Sequence, residues 1–352
     1  PFLANLLKRK APTNALFYIK YRINGLFLVN LQTISYDLFM LSVLIPTYNC
    51  DCSTLVSDLV HQGLELMENT KEGFDFEIIV LDDYSTFEPL KAVAEKVNAL
   101  PHCRWIRAER NCGPAASRNH LIDLARFPYL LFIDSDAQVC TADFLARYWD
   151  VRDQAKVVCG RLYTPSGPAP EGHELRSRYE LSAERLRPAD VRQKQPYRFF
   201  TMFNAMFARE VFESVRFDPR CTDYGYEDAL LGLELRSAHF SILHIDNPLI
   251  HTGIDSNESF LKKTETALRT LSKLGEPMQS ESGPSRLYRR AKRFGLSSLL
   301  RWTLGFWSRY MRHYLLTSKR PSLFVFSLYK LWYYADLQKS ERKATRPNGG
   351  GN

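Results

Sequence analysis

The sequence predicts an α/β fold in which a mostly parallel sheet is flanked by helices. Short apolar segments alternate with segments of helical spacing between residues 41 and 274, and this alternation is typical of parallel sheets. The apolar segments contain few polar residues, as expected of strands that helices cover on both faces. The 352 residues are 45% hydrophobic and 24% charged, a globular composition that excludes a disordered or collagen-like chain.

Proline, glycine and aspartate residues mark the ends of individual strands and helices. Pro46 closes the first apolar run, and Asp82 and Asp83 follow the second. Gly113 and Pro114 open a helix, with the proline in the first turn, where its missing N–H is harmless. The predicted strands cover residues 41–45, 77–81, 104–107, 129–133, 157–160, 203–208 and 240–245. The predicted helices cover residues 54–67, 89–100, 113–124, 142–153, 173–186, 226–237 and 258–274.

Charge divides the chain into an acidic body and a basic tail. The net charge is +8, but residues 286–346 alone carry fifteen Lys and Arg against two acids, which leaves the rest of the chain acidic. No run of 18 uninterrupted apolar residues occurs, so no transmembrane helix is predicted. The predicted domains are an N-terminal extension at 1–39 before a suspected natural start at Met40, a catalytic domain at 40–275, a linker at 276–285, a basic amphipathic helical region at 286–340 and a disordered tail at 341–352.

Two carboxylates follow the strand predicted at 129–133, in the order Asp134-Ser135-Asp136. Ligands of parallel sheets bind at the carboxyl ends of the strands. Hard oxygen ligands suit Mg²⁺ or Mn²⁺, which usually also hold substrate phosphates. Because D-x-D is also common in polar turns, this pattern alone leaves both a metal site and a plain turn open.

Five motifs occur in a fixed order along the chain. They are LSVLIPTYN at 41–49, IIVLDDYS at 78–85, GPAASRN at 113–119, LLFIDSD at 130–136 and YEDALL at 226–231. With these motifs, residues 41–255 resemble family 2 glycosyltransferases, which have the GT-A fold. The resemblance implies transfer of a sugar from a nucleotide-diphosphate donor, with Mn²⁺ or Mg²⁺ stabilising the leaving diphosphate as a Lewis acid.

The resemblance also implies roles for single residues. It implies a metal site with Asp136 as the main ligand and with Asp134 and His251 as further ligands, Asp134 also lying close to the donor ribose or sugar. Direct displacement inverts the anomeric centre and needs a base on the acceptor hydroxyl, for which Asp228, beside Glu227, is the candidate. The alternative for these two acids is a helix N-terminus that favours negative charge.

For the donor, the resemblance implies that Asp83, rather than Asp82, accepts a hydrogen bond from the uracil N3–H. The other implied donor-site residues are Pro46, Tyr48, Gly113, Arg118, Asp134 and Ser135. The structural alternatives are an Asx-turn at the aspartate and a plain surface arginine. Residues 203–205 and 224–226 are candidates for the acceptor cleft.

Two other classes of protein stay open. A nucleotidyltransferase of related architecture usually has a Gly-rich phosphate loop with a basic residue, and residues 45–49 have neither. The other class is a catalytically inactive, membrane-bound sugar-binding or scaffold protein. Such a protein does not need Asp134, Asp136 and Asp228, which this sequence contains. Processive family members carry Q-x-x-R-W, but Ser298 stands where Gln belongs before Arg301-Trp302. A non-processive enzyme of bacterial cell-surface polysaccharide or glycolipid synthesis is therefore predicted, with a UDP-sugar donor and a glycan or lipid-linked acceptor.

The basic tail predicts a further partner. Within 286–340, apolar and aromatic residues recur at helical spacing with Lys and Arg on the other side, a pattern typical of helices that lie in a membrane interface. We therefore predict contact with an anionic membrane surface, with the protein peripheral on the cytoplasmic face of the cell membrane. A helical hairpin packed on the catalytic body is the alternative. No nucleic acid partner is predicted, because no binding motif accompanies the charge.

Overall fold

The computed structural model describes residues 17–23, 26–32, 39–70, 73–165, 167–185, 187–221, 225–276 and 278–344. The strands are β1 (Phe17–Ile23), β2 (Leu26–Gln32), β3 (Phe39–Thr47), β4 (Phe74–Asp82), β5 (Cys103–Arg107), β6 (Tyr129–Ile133), β7 (Ala137–Val139), β8 (Val157–Tyr163), β9 (Asn204–Ala208) and β10 (Ile242–His251). The helices are α1 (Ser53–Asn69), α2 (Leu90–Asn98), α3 (Pro114–Leu124), α4 (Phe144–Val151), α5 (Glu174–Arg185), α6 (Ala189–Gln193), α7 (Val211–Ser214), α8 (Glu227–Ser237), α9 (Asn257–Leu274), α10 (Met278–Glu281), α11 (Gly283–Arg293), α12 (Ser297–Thr317) and α13 (Leu323–Ala344).

The main sheet has eight strands in the order β5-β4-β3-β6-β9-β8-β10-β7. β3, β4, β5 and β6 run parallel to one another, as do β8 and β10. β9 is antiparallel to both of its neighbours, and β7 is antiparallel to β10. The predicted mostly parallel α/β architecture is confirmed. The carboxyl ends of β3, β4 and β6 consequently lie at one edge of the sheet. β1 and β2 form a separate antiparallel pair.

Hydrophobic residues fill both faces of the sheet. Along β3, Leu44 packs into one core cluster, whereas Val43 and Ile45 pack into a second cluster on the opposite face. Successive side chains of a strand point to opposite faces, so a strand covered on both sides is apolar at every position. This is why the central strands appear in the sequence as continuous apolar runs.

The C-terminal helices differ in how they pack. α13 contributes Leu331, Tyr334 and Ala335 to the core cluster that contains the central strands. The exposed face of α12, by contrast, includes Trp302 and Phe306, which are 70% and 68% exposed. α13 therefore packs on the rest of the fold, as the alternative of a packed hairpin predicts. α12 instead leaves aromatic side chains exposed to solvent. The segment predicted as a linker contains α10 and the start of α11, and the predicted domain division stays a prediction.

Glu77 is a buried carboxylate of β4. It accepts hydrogen bonds from Ser42 Oγ at 2.7 Å and from the backbone N–H and Nε of Arg126 at 2.7 and 2.9 Å. Burial alone would raise the pKa of Glu77, but these bonds and the charge of Arg126 outweigh burial and lower it. A carboxylate with a lowered pKa stabilises the fold above its unfolded-state pKa, and this stabilisation is lost as the pH falls through the folded-state pKa.

We expect Glu77→Gln to lower the free energy of unfolding by about 2 kcal/mol at neutral pH, because the amide leaves buried donors without an acceptor. Urea denaturation of wild type and variant should show a difference that shrinks as the pH falls below about 4.3, the usual pKa of Glu in an unfolded chain, and that is lost as the pH falls through the lowered pKa of folded Glu77. Glu68→Gln, at an exposed position of α1, is the matched control. A difference that stays constant across this pH range would contradict the expectation.

Candidate active site

A cleft of about 550 Å³ opens at the carboxyl ends of β3, β4 and β6. Its wall brings together most residues that the sequence predicts for the site, namely Pro46, Tyr48, Asp83, Gly113, Arg118, Asp134, Ser135, Asp136, Glu227, Asp228 and His251. Asp82 is buried outside this wall, and its Oδ1 accepts a hydrogen bond from the Ser85 N–H at 2.8 Å. This bond spans three residues rather than the two of an Asx-turn, and it fixes the loop that follows β4.

Asp83 is fixed by two backbone amides. Its Oδ1 accepts from the Cys112 N–H and its Oδ2 from the Gly113 N–H, each at 2.8 Å. Gly113 has a φ of +84°, a conformation that favours glycine. Each carboxylate oxygen keeps a second lone pair, so Asp83 can still accept from a ligand. Tyr48, about half exposed, lies on the same wall and offers an aromatic surface to a planar group.

Arg118 and Asp134 form an ion pair inside the cleft, with Nη2 and Oδ1 2.8 Å apart. Arg118 projects from α3 and is buried, and its Nε and Nη1 have no hydrogen-bond partner among the described residues. Burial and the negative charges of Asp136 and Asp228 raise the pKa of Asp134, against the opposing effect of Arg118. A buried arginine with spare donors, close to several acids, suits an anionic ligand that brings its own oxygens.

A second chain of contacts joins Asp136, His251 and Glu180. His251 Nε2 lies 3.1 Å from Asp136 Oδ2, and its Nδ1 lies 3.1 Å from Glu180 Oε2. Burial would lower the pKa of His251, but the hydrogen bonds to both acids outweigh burial and raise it to about 9. A side chain on Gly253 would place its Cβ 2.4 Å from Asp136 Oδ2, so glycine is needed there for the close approach.

These contacts fit a divalent cation at Asp136 and His251. A metal-binding histidine commonly gives its other ring N–H to a carboxylate, and Glu180 takes that position here. Among the described residues, no group of three His, Cys, Asp or Glu side chains is arranged to hold a metal. Two protein ligands are nevertheless typical of Mg²⁺ and Mn²⁺ sites at which substrate phosphates and water complete the coordination. Asp134 is turned towards Arg118 instead.

Asp228 is held at the start of α8 with one oxygen free. Its Oδ2 accepts from the Met202 N–H at 3.0 Å and from Thr201 Oγ1 at 3.3 Å. Its buried Oδ1 has no hydrogen-bond partner among the described residues. Tyr226, just before the helix, has a φ of +71°, a strained conformation of the kind that clusters at functional sites. Tyr224, a candidate for the acceptor cleft, lies outside the described residues.

Comparison with known proteins agrees with this geometry. Residues 42–216 match the model of the family described as glycosyl transferase family 2. This part of the chain belongs to the family.

Several family relatives match part of the chain. The poly(ribitol-phosphate) beta-glucosyltransferase of Bacillus spizizenii is 31% identical over 125 residues, which is 35% of this chain and 19% of the relative. The poly(ribitol-phosphate) beta-N-acetylglucosaminyltransferase TarS of Staphylococcus aureus is 34% identical over 98 residues, which is 27% of this chain and 16% of the relative. The chain thus spans less than a fifth of the length of these two relatives.

Among solved structures, the mannosyltransferase PcManGT of Pyrobaculum calidifontis, in complex with GDP-Man and Mn²⁺, aligns with a TM-score of 0.49 at 15% identity. The alignment covers 86% of this chain and 87% of that chain.

The family motifs do not include several residues that the fold brings to the site. Glu180 and Arg176 come from α5, in a proline-rich segment for which the sequence predicts only a helix. Lys263 lines the cleft from α9, where it is paired with Asp255 at 2.9 Å. The sequence contains one local signal for Arg176 and Glu180, namely their i, i+4 spacing. The same spacing is typical of an ordinary ion pair on a helix surface.

Proposed function

We propose that this family 2 protein is a metal-dependent, inverting, non-processive glycosyltransferase that moves a sugar from a UDP-sugar to a hydroxyl of a glycan or lipid-linked acceptor. The observation that carries the proposal is a single cleft that contains both the Asp136–His251 pair and the unpaired Oδ1 of Asp228. One group suits a cation bound to a diphosphate, and the other suits a general base. The names of the relatives support transfer of glucose or N-acetylglucosamine to a polymer.

In the proposed reaction, the acceptor oxygen attacks the anomeric carbon on the face opposite the diphosphate. Asp228 Oδ1 takes the proton of that hydroxyl as the new carbon–oxygen bond forms. The bond between the anomeric carbon and the diphosphate breaks, and the nucleoside diphosphate leaves with the electron pair. Single displacement inverts the anomeric configuration.

Residues of the cleft divide the donor between them. Asp83, Pro46 and Tyr48 would hold the base, and the spare donors of Arg118 would bind oxygens of the diphosphate. Asp136 and His251 would hold Mn²⁺ or Mg²⁺, which supplies Lewis-acid stabilisation of the diphosphate charge when bound. A uracil base matches the acceptor oxygens of Asp83 through its N3–H.

Calorimetric titration with UDP, GDP and CMP, each with and without Mn²⁺, tests the proposal. The expected result is tight binding of UDP that depends on Mn²⁺, together with slow hydrolysis of a UDP-sugar in the absence of acceptor. Tight binding of GDP alone would replace the proposed donor by a GDP-sugar. A folded sample that binds none of the three nucleotides would refute the glycosyltransferase proposal.

We further propose that α12 attaches the protein to an anionic membrane surface on the cytoplasmic face of the cell membrane. None of the described helices combines the length and the apolar character needed to cross a bilayer. Leu299, Trp302, Phe306 and Tyr310 recur at steps of three and four residues on α12, and each is more than half exposed. The preceding α11 carries exposed arginines and a lysine. Aromatic side chains beside basic ones suit the interface of an anionic leaflet.

Replacing Trp302, Phe306 and Tyr310 together by Ser should weaken binding to phosphatidylglycerol vesicles at least about a hundredfold, because each ring loses more than 1 kcal/mol of apolar burial. Cosedimentation with the vesicles measures this. Deletion of the whole tail is a poor test, because α13 belongs to the core. Phe87→Ser, at a loop position that is 51% exposed, is the matched control. Equal cosedimentation of the triple variant and the control would contradict the membrane proposal.

A further inference from the structure

A side groove leads away from the active-site cleft. A connecting pocket of about 280 Å³ shares Leu162, Arg176 and Thr201 with the cleft. An outer pocket of about 490 Å³ shares further residues with the connecting pocket, namely Tyr179, Arg187 and Arg198. The connecting and outer pockets together are called the side groove below. Because neighbouring pockets share lining residues, the side groove lies directly beside the cleft.

The side groove begins at the proposed base and passes the helix that carries it. Thr201, which donates to Asp228 Oδ2, is one of the residues common to the cleft and the groove. Tyr226, just before α8, and Ala229 and Leu233 on α8 line the outer pocket, and the i, i+4 spacing of the last two places them on one helix face. Asp228 faces the cleft from the same turn. A molecule whose hydroxyl lies at Asp228 therefore has the groove as a path for the rest of its length.

The groove wall carries cations whose charge is not neutralised. Among the residues that the structure describes, Arg187, Arg198 and Lys330 pair with no carboxylate. The guanidinium carbons of Arg187 and Arg198 lie 5.1 and 5.7 Å from the centre of the Phe199 ring. Lys330 Nζ lies 4.5 Å from the centre of the Phe326 ring. Cation–π contacts to neutral rings hold these side chains in place and leave their positive charge unneutralised.

The acids of the groove wall already have partners. Glu180 binds His251 and Arg176. Glu184 accepts from Arg161 at 2.7 Å, and Glu281 lies 3.4 Å from Arg236. The unpaired charge of the groove is therefore positive. Tyrosines alone are enough to contact neutral sugar rings, so the surplus of cations favours an anionic ligand.

We propose that the side groove binds the acceptor, and that the acceptor carries phosphate groups in the segment next to its reacting hydroxyl. Guanidinium groups match phosphate oxygens with paired N–H donors. The tyrosines between them offer surfaces to the polyol or sugar units that link the phosphates. This inference rests on the proposed function, since it assigns the second substrate of the same cleft.

The test uses the full chain and a synthetic phosphodiester-linked polyol oligomer, with a neutral oligosaccharide of equal length as the comparison ligand. Calorimetry on Arg187→Ala/Arg198→Ala should show binding of the oligomer weakened about thirtyfold or more, since each lost charge-assisted contact costs roughly tenfold. Lys91→Ala/Lys96→Ala removes the same charge from exposed positions of α2 and is the control. Monomeric short-chain phosphatidic acid forms a second arm, which detects a phosphate presented by a lipid headgroup without offering α12 an anionic membrane.

Loss of oligomer binding only in the groove variant supports an acceptor that is a soluble or polymeric phosphate. Loss of phosphatidic acid binding only in that variant supports the same chemistry on a lipid. Equal binding by the groove variant and the lysine control would overturn the inference, as would wild-type protein that prefers the neutral oligosaccharide or binds neither phosphate probe. Titration with UDP and Mn²⁺ is run on every sample. If wild type binds the oligomer through the groove but binds no nucleotide, the proposed function fails and the groove assignment stands.

Discussion

Asp228→Asn should reduce Mn²⁺-dependent sugar transfer about a thousandfold while leaving UDP binding close to that of the wild type. General bases contribute typically 10² to 10⁴ in rate, and the amide of Asn cannot take the proton of an acceptor hydroxyl. The substitution keeps the shape of the side chain and leaves an oxygen that can accept from the Met202 N–H. When no glycan acceptor is added, water accepts the sugar. The rate of UDP-sugar hydrolysis therefore measures the effect of the substitution on turnover.

The matched control for this experiment is Asp150→Asn, at an exposed position of α4, which should behave as wild type. A turnover rate for Asp228→Asn within tenfold of wild type would exclude this residue as the base. Loss of UDP binding together with turnover would instead indicate that Asp228 supports the donor site, because its charge lies near Arg118.

Asp136→Ala should abolish the part of UDP binding that depends on Mn²⁺ and lower turnover by at least about a hundredfold. Removing even an outer partner of a metal ligand commonly costs 10- to 100-fold in metal affinity or activity, and Asp136 is proposed as a direct ligand. The fold should tolerate the change, because Thr252 bonds to the backbone oxygen of Asp136 rather than to its side chain.

Two comparisons make the Asp136 experiment decisive. Chelation of the metal in the wild type should give the same residual UDP affinity as the variant, and the variant should be insensitive to the chelator. Glu180→Gln keeps Asp136 but alters the partner of His251, so it should show an intermediate loss of Mn²⁺ affinity. An unchanged response of Asp136→Ala to Mn²⁺ would remove this residue from the proposed metal site.

The sequence predicts the centre of this protein better than its periphery. β3, β4 and β6 lie where apolar runs and their terminal Pro or Asp residues predict strands, because strands buried on both faces are apolar at most positions. The acids at the ends of these strands then meet at one edge of the sheet as a matter of topology. This is why one cleft collects residues as distant in sequence as Asp83 and Asp134.

The remaining features depend on contacts between distant segments. Nothing local in β9 shows that it enters the sheet antiparallel between β6 and β8. Glu180 reaches His251 only because α5 packs back over the cleft. α12 and α13 both carry many aromatic residues, yet only the tertiary arrangement decides that Phe326, Tyr329 and Tyr334 of α13 are buried and that one face of α12 is not.

The position of α13 also bears on how the protein is made. Leu331, Tyr334 and Ala335 complete a hydrophobic cluster that contains Leu44 and Phe132 of the central strands. Synthesis runs from the N-terminus, so the interior of the catalytic body stays open to solvent until these late residues have left the ribosome. Nascent chains therefore expose an apolar surface that chaperones can bind.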